Sequence, residues 1–317
     1  MNLSYSRFCS YLSCPYGHYL GYEEGWSQKK VPRPLFFGRD FHKLLEYRNK
    51  PAELPNIKSE IEDAYYELKP EQQSDLGEDY VEDLFSIFSD YCDVYTDCPE
   101  PTKTEIEFNI PIATYKGEDV IFKGFIDELY ITDGKVTSIG EHKTFSKMPQ
   151  KDFLVMNTQK SLYAKAVEIL YGELPQTIIW DYIHSQPAQE PIWLDKSGRF
   201  SSAASQKITP YSWQRACKRR GITDENIIAE GNKYSQNIVN FFFRTEMDYI
   251  PDMVEDVWKG FLYTCKDIVR HGKENRTKNI SQACSWCGFR DICHAELTGG
   301  NVQAILEHDF EQREREK

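Results

Sequence analysis

Gly124-Phe-Ile-Asp127, then Asp133-Gly134, then Glu141-His-Lys143: this stretch of the chain decides how the rest is read. Val120 to Ile131 is rich in β-forming residues, Asp133-Gly134 supplies a tight hairpin turn, and Val136 to Thr144 continues as a second strand. Alternate side chains of a strand share a face, so Glu141 and Lys143 point the same way, about 6.5 Å apart along the strand. Asp127 can face them from the neighbouring strand. Two carboxylates converging at the end of a sheet are hard oxygen ligands, suited to Mg²⁺ or Mn²⁺. A lysine beside them can hold a water and help to deprotonate it. The trio therefore predicts a metal-dependent attack of hydroxide on a phosphodiester.

A Glu-x-Lys triplet alone carries little, because average composition yields on the order of one in a chain this long. An exposed strand edge with a salt-bridged pair would read the same. The neighbouring elements add weight. Upstream, Thr104-Glu-Ile-Glu-Phe-Asn-Ile-Pro111 alternates apolar and polar residues, which makes three neighbouring antiparallel strands in all. Downstream, a helix is predicted from Phe153 to Tyr171, with Gln159 and Tyr163 four residues apart on one face. Strands are expected at Gln176–His184, more briefly at Pro191–Leu194, and at Asn237–Arg244. Helical periodicity covers Phe36–Arg48, which carries His42, as well as Gln73–Tyr95 and Asp252–His271. Glu311–Lys317 reads as a charged helix end.

In this order the motifs resemble those of RecB-like nucleases of the PD-(D/E)XK superfamily, among them CRISPR-adaptation nucleases and phage exonucleases. The series is Gly38 and His42, Gly124-x-x-Asp127, Glu141-x-Lys143 and Gln159-x-x-x-Tyr163. Ile126-Asp127 stands where the family name has Pro-Asp. The resemblance implies that His42, Asp127 and Glu141 bind Mg²⁺ or Mn²⁺, with the His142 backbone carbonyl as a further ligand. It also implies that Lys143 activates water and that Gln159 and Tyr163 orient the site or the DNA backbone.

Nine cysteines without an export signal argue against a disulfide framework and for metal or cluster binding. Cys284-x-x-Cys287 and Cys293 are three thiols at ligand spacing, and Cys14, in Cys14-Pro-Tyr, completes a set of four of the kind that holds a 4Fe-4S cluster. One early cysteine and three late ones also match the iron-sulfur subgroup of these nucleases. Structural zinc at Cys284, Cys287 and Cys293 or His294 is the alternative, and Cys9 is a rival for Cys14. Cys92, Cys98, Cys217 and Cys265 read as small buried hydrophobes. His18, His184, His271 and His308 have no partners at ligand spacing and read as ordinary surface or satisfied polar residues.

The net charge of −12 opposes DNA binding until it is read locally. From Lys196 to Arg220 there is no Asp or Glu, whereas Lys196, Arg199, Lys207, Arg215, Lys218, Arg219 and Arg220 are all basic. The segment is either a DNA contact or a solvated face. Trp193, Tyr211 and Trp213 within and beside it could stack on bases or pack in a core.

The expected architecture is an α/β restriction-endonuclease-like core, a mixed β-sheet flanked by helices. Its helical N- and C-terminal regions would be joined at the cluster. The expected division is a helical region over 1–100, a nuclease core over 101–245 with a basic insert at 196–220, and a C-terminal helix and cysteine region over 246–317. The expected activity is exonucleolytic processing of single- or double-stranded DNA ends in recombination, repair or replication. Trimming of CRISPR prespacers and a catalytically silent DNA-binding scaffold are the alternatives. A recombinase, a single-strand-binding protein or a helicase would be natural partners. No secretory signal and no run of about 18 apolar residues is visible, so a cytoplasmic protein of a bacterium or phage-infected cell is expected, with no membrane partner.

Overall fold

A computed structural model describes residues 1–30, 32–48, 50, 52–201 and 206–313. The chain starts with a short strand, β1 (Asn2–Leu3), and a helix, α1 (Tyr5–Ser13), whose cap Ser4 accepts the Arg7 N–H at its hydroxyl. α2 (Pro15–His18) runs into a π-helical turn and then β2 (Trp26–Gln28). Four helices follow: α3 (Arg33–Glu46), α4 (Leu54–Tyr66), α5 (Pro70–Leu76) and α6 (Tyr80–Val94). The single helix expected from Gln73 to Tyr95 is two, because Gly77 at φ +96° closes α5 in a conformation closed to ordinary side chains.

The three expected strands are β3 (Lys103–Tyr115), β4 (Glu118–Thr132) and β5 (Lys135–Phe145). The predicted helix after them is broken into α7 (Lys151–Val155) and α8 (Thr158–Tyr171), the latter started by Asn157, whose side chain accepts the Gln159 N–H. β6 (Thr177–His184) follows, then a small hairpin of β7 (Trp193–Leu194) and β8 (Arg199–Phe200), then α9 (Pro210–Arg219) and α10 (Glu225–Ala229). The strand expected at Asn237–Arg244 begins later. A 3₁₀ helix occupies Glu230–Asn240, and β9 runs from Phe242 to Asp248. α11 (Pro251–His271), α12 (Arg290–Thr298), α13 (Val302–Asp309) and β10 (Phe310–Gln312) complete the chain. The expected terminal helix at Glu311–Lys317 is replaced by strand at Glu311 and Gln312, and residues 314–317 lie outside the described part.

β4 is the long central strand, with β3 antiparallel along one edge. On its other edge β1 pairs in parallel at Ile121–Phe122 and β5 antiparallel at Glu128–Thr132. β5 then pairs in parallel with β6, which pairs antiparallel with β9. One face of this mixed sheet is covered by α1, α8 and α11 around a core that includes Phe122, Ile139, Leu162 and Phe261. The other is covered by α3, α4 and α6 around Phe37, Phe41, Phe88 and Tyr91, with Ile183 and Phe242 from the sheet. The architecture is α/β, a mixed sheet flanked by helices. Phe200, Ile208 and Trp213 form a separate small core in the lobe between β6 and β9.

Protein contacts bring the chain ends together. β10 pairs antiparallel with β2, and Tyr16, Leu20, Ile292 and Phe310 bury one another.

Candidate active site

β1 and β5 share an edge of β4 but leave a gap between Phe122 and Glu128. Past the Glu128–Gly140 pair the hairpin opens as a fork, with Asp127 on one prong and Glu141 on the other. The fork is bridged once: the His142 N–H donates to Asp127 Oδ2 at 2.8 Å. This fixes the carboxylate so that Oδ1 lies 3.7 Å from His42 Nδ1, which α3 supplies from the opposite layer.

The third member of this group is Glu105 on β3, which the sequence reading missed. Its Oε1 lies 3.9 Å from His42 Nδ1, and one atom each from His42, Glu105 and Asp127 lie within 4.8 Å of one another. The pairs Thr104–Glu128 and Ile106–Ile126 flank it, which sets Glu105 opposite Asp127 in register. Its φ of +47° is a strained, left-handed conformation for a glutamate within a strand. The signal in the sequence was only an acidic residue in a predicted strand, equivalent by alternation to Glu107.

Glu141 borders this group. Its Oε1 accepts from Lys143 Nζ at 2.5 Å and from Gln159 Nε2 at 2.8 Å, while Oε2 is buried with no hydrogen-bond partner among the described residues. Burial, then the charge of Asp127, raises the Glu141 pKa, with Lys143 opposing. Burial lowers that of Lys143, but the two carboxylates outweigh it and hold the ammonium charged. For His42 burial is likewise outweighed, by Glu105 and Asp127, and its pKa rises.

The sequence-predicted residues Asp127, Glu141, Lys143, His42 and Gln159 are thus gathered at one place. Tyr163 is buried one turn further along α8, its ring edge-on to Phe108 at 5.6 Å. The His142 ring lies on the α3 side of the sheet, edge-on to the His42 ring with centroids 6.0 Å apart. It is buried, with Nε2 3.1 Å from Glu128 Oε1 and Nδ1 3.3 Å from Asp181 Oδ2. Arg244 and Tyr91 both donate to Asp181. Burial pushes the Asp181 pKa up, yet His142 and Arg244 hold it down to about 2. Gly140 makes room for this cage, because a Cβ there would lie 2.5 Å from Glu128 Oε2.

The basic segment is partly spent on internal pairs. Arg215 is paired with Asp90, Arg219 with Glu82 at 2.6 Å and with Glu190 at 3.4 Å, and Arg220 lies over the Trp193 ring at 4.6 Å. Lys196, Arg199, Lys207 and Lys218 are exposed. Trp213 is 1% exposed in the lobe's own core, and its indole N–H donates to the Ile227 carbonyl, so packing accounts for it.

Cys14, Cys284, Cys287 and Cys293 line one pocket of 190 Å³, together with the apolar Ile280, Phe289 and Leu297. Cys9 packs instead with the sheet core. Among the described residues no three cysteine sulfurs lie within 4.8 Å of one another. Four thiolates on a single zinc would be roughly 4 Å apart, so the pocket is more open than a zinc site.

A family model described as the PD-(D/E)XK nuclease superfamily matches residues 2–294. Among solved structures, a protein of Eubacterium rectale provisionally described as an exonuclease is similar over 90% of this chain and 87% of its own, at TM-score 0.46 and 11% identity. A protein named SSO0001 is similar over 84% of this chain and 87% of its own, at TM-score 0.34 and 12% identity. No curated protein matches the sequence.

Proposed function

The chain belongs to the PD-(D/E)XK nuclease superfamily, and we propose that it is a DNA exonuclease of the RecB-like branch that works with Mg²⁺ or Mn²⁺. The observation that carries this reading is the convergence of His42, Glu105 and Asp127 at ligand separation beside the Glu141–Lys143 pair. The donor set fits a small hard cation: two carboxylates and an imidazole, with the buried, unpartnered Oε2 of Glu141 next to them. His42, Glu105 and Asp127 would hold it, with Glu141 and the His142 carbonyl completing the set. When bound, the cation supplies charge neutralisation on phosphate oxygens and acidifies a water.

The protein's own groups do the remaining work. Lys143, charged and tied to Glu141, can donate to a water or a phosphoryl oxygen lying over the fork. Gln159 holds Glu141 in place from the first turn of α8. The His142 N–H keeps Asp127 from rotating, so its ligand oxygen is preset.

The RecB-like assignment and the choice of exonuclease rest on the ordered series from His42 to Tyr163 and on Cys14 with the three late cysteines. We read their shared pocket as the seat of a 4Fe-4S cluster, whose thiolates stand further apart than those on one zinc ion. Lys196, Arg199, Lys207 and Lys218 are the candidates for DNA phosphate contacts, with Arg215, Arg219 and Arg220 as lesser ones because they already have partners. Processing of DNA ends in recombination, repair or replication, alongside a recombinase, a single-strand-binding protein or a helicase, is the setting this activity fits.

The test is digestion of end-labelled single- and double-stranded DNA with Mg²⁺ or Mn²⁺, comparing wild type with Lys143→Ala and Asp127→Ala. Degradation from an end by wild type, abolished in both folded variants, is expected. A wild type inert on every substrate, or variants as active as wild type, would sink the reading.

A further inference from the structure

Apolar side chains scattered singly over a surface are ordinary, but a run of them beside a catalytic centre marks an interaction surface. Between β5 and α8, Met148, Phe153, Val155 and Met156 are 40%, 61%, 39% and 58% exposed. Leu154, among them, is buried in the sheet core and anchors the segment, so its neighbours are presented outward. Met156 precedes by three residues Gln159, whose amide donates to Glu141. Chain reach alone puts the two backbones within about 11 Å of each other.

A second exposed apolar side chain stands on the other helical layer. Leu35, Gly38 and His42 fall at i, i+3 and i+7, on one face of α3. His42 belongs to the carboxylate group, and Gly38 lies against Thr144, the residue after Lys143. Leu35, one turn further out, is 66% exposed. Apolar side chains thus flank the end of β5 from the helical layers on both faces of the sheet.

A strand whose phosphodiester reached Lys143 would lie at the end of β5, beside these side chains. Successive nucleotides advance by roughly 3.4 Å, so the rim meets bases within about three nucleotides of the bond to be cut. An aromatic side chain can stack on an unpaired base, and aliphatic ones can wedge between bases, which offsets part of what a base loses when its pair opens. From this we infer that the rim formed by Leu35, Met148, Phe153 and Met156 is a wedge for unpaired bases. It opens the end of a duplex and passes one strand to the carboxylates, so the substrate class is a strand terminus whose last bases are unpaired. The inference rests on the nuclease reading above.

Lys143→Ala protein, which holds DNA uncut, is mixed with duplexes carrying 2-aminopurine in the terminal pair. Emission should rise on binding to a blunt end, and the rise should vanish when Phe153→Ser and Met156→Ser are added. In otherwise wild-type protein the same pair of changes should slow cleavage of blunt duplex about tenfold or more, while a pre-forked duplex is cut near the normal rate. Equal cleavage of both substrates by variant and wild type, or equal loss on both, would overturn the wedge and leave the nuclease reading standing. An emission rise that survives the changes does the same. Wild-type protein that cuts neither substrate removes both readings together.

Discussion

Glu105 carries the most specific consequence at the scale of single residues. Its left-handed backbone brings a second carboxylate to His42 and Asp127, and affinity for a hard cation follows ligand charge. Glu105→Gln should raise the Mg²⁺ concentration for half-maximal cleavage about tenfold or more with little change in thermal stability. An unchanged Mg²⁺ dependence would remove Glu105 from the ligand set. His18, read from the sequence as a surface or satisfied polar residue, is wholly buried. Arg7 Nε donates to its Nε2 at 3.3 Å, which requires the neutral ring. Burial, then the charge of Arg7, lowers its pKa to about 4. The unfolded chain therefore binds a proton that the native state refuses between about pH 6.5 and pH 4. Stability should be full above that window and fall by about 2–3 kcal/mol as pH drops through it. His18→Gln should flatten this part of a denaturation profile taken against pH, and an unaltered slope would assign the acid lability elsewhere.

Among the elements, the β4–β5 hairpin shows why the site lies where it does. Its turn, Asp133-Gly134, and its two strands were legible because alternation and turn chemistry are local. The fork was not, because it depends on β1 and β5 sharing one edge of β4 and on β6 taking over the far half of β5. Gly140, at the crotch, is required for a tertiary reason: a Cβ there would meet Glu128, which the cage of His142, Asp181 and Arg244 holds in place. Gly140→Ala should cost about 1–3 kcal/mol of unfolding free energy. A substitution that costs nothing in denaturant titration would show the cage to be slack. The helix predicted from Phe153 to Tyr171 erred in an instructive place. Its first residues form a separate short helix that exposes apolar side chains, where amphipathic reasoning assumes that such residues face a core.

For the molecule as a whole, the meeting of the two chain ends is secured twice over. The β2–β10 pair and the cluster of Tyr16, Leu20, Ile292 and Phe310 hold the ends together through protein alone. On the proposed reading, a cluster in the four-cysteine pocket would add a tie between Cys14 and the segment from Cys284 to Cys293. If that tie is a cluster, anaerobically prepared protein should absorb broadly near roughly 400 nm, and Cys14→Ser should bleach it. Amide exchange should then quicken around Cys284–Cys293 while the amides of β4 and β5 stay protected, since local opening follows local contacts. A colourless wild type would return the pocket to another occupant, and exchange quickened through the whole sheet would make it a support of the global fold.

By itself the sequence determined the class of fold and most of the residues that gather at the candidate site. Strand alternation, the Asp-Gly turn and the spacing of Asp127, Glu141, Lys143 and Gln159 are local properties, and these residues do converge. Only the tertiary structure decided that Glu105 joins them, that His142 turns its ring into an ion cage beside them, and that Trp213 serves a separate core. Each of these depends on a neighbour distant in sequence: β4 for Glu105, β6 for His142 and Ile227 for Trp213. A pattern of residue types along one chain records which faces are apolar and which groups can react. Which partner meets each group is set by packing, through contacts between segments that the linear order does not bring together.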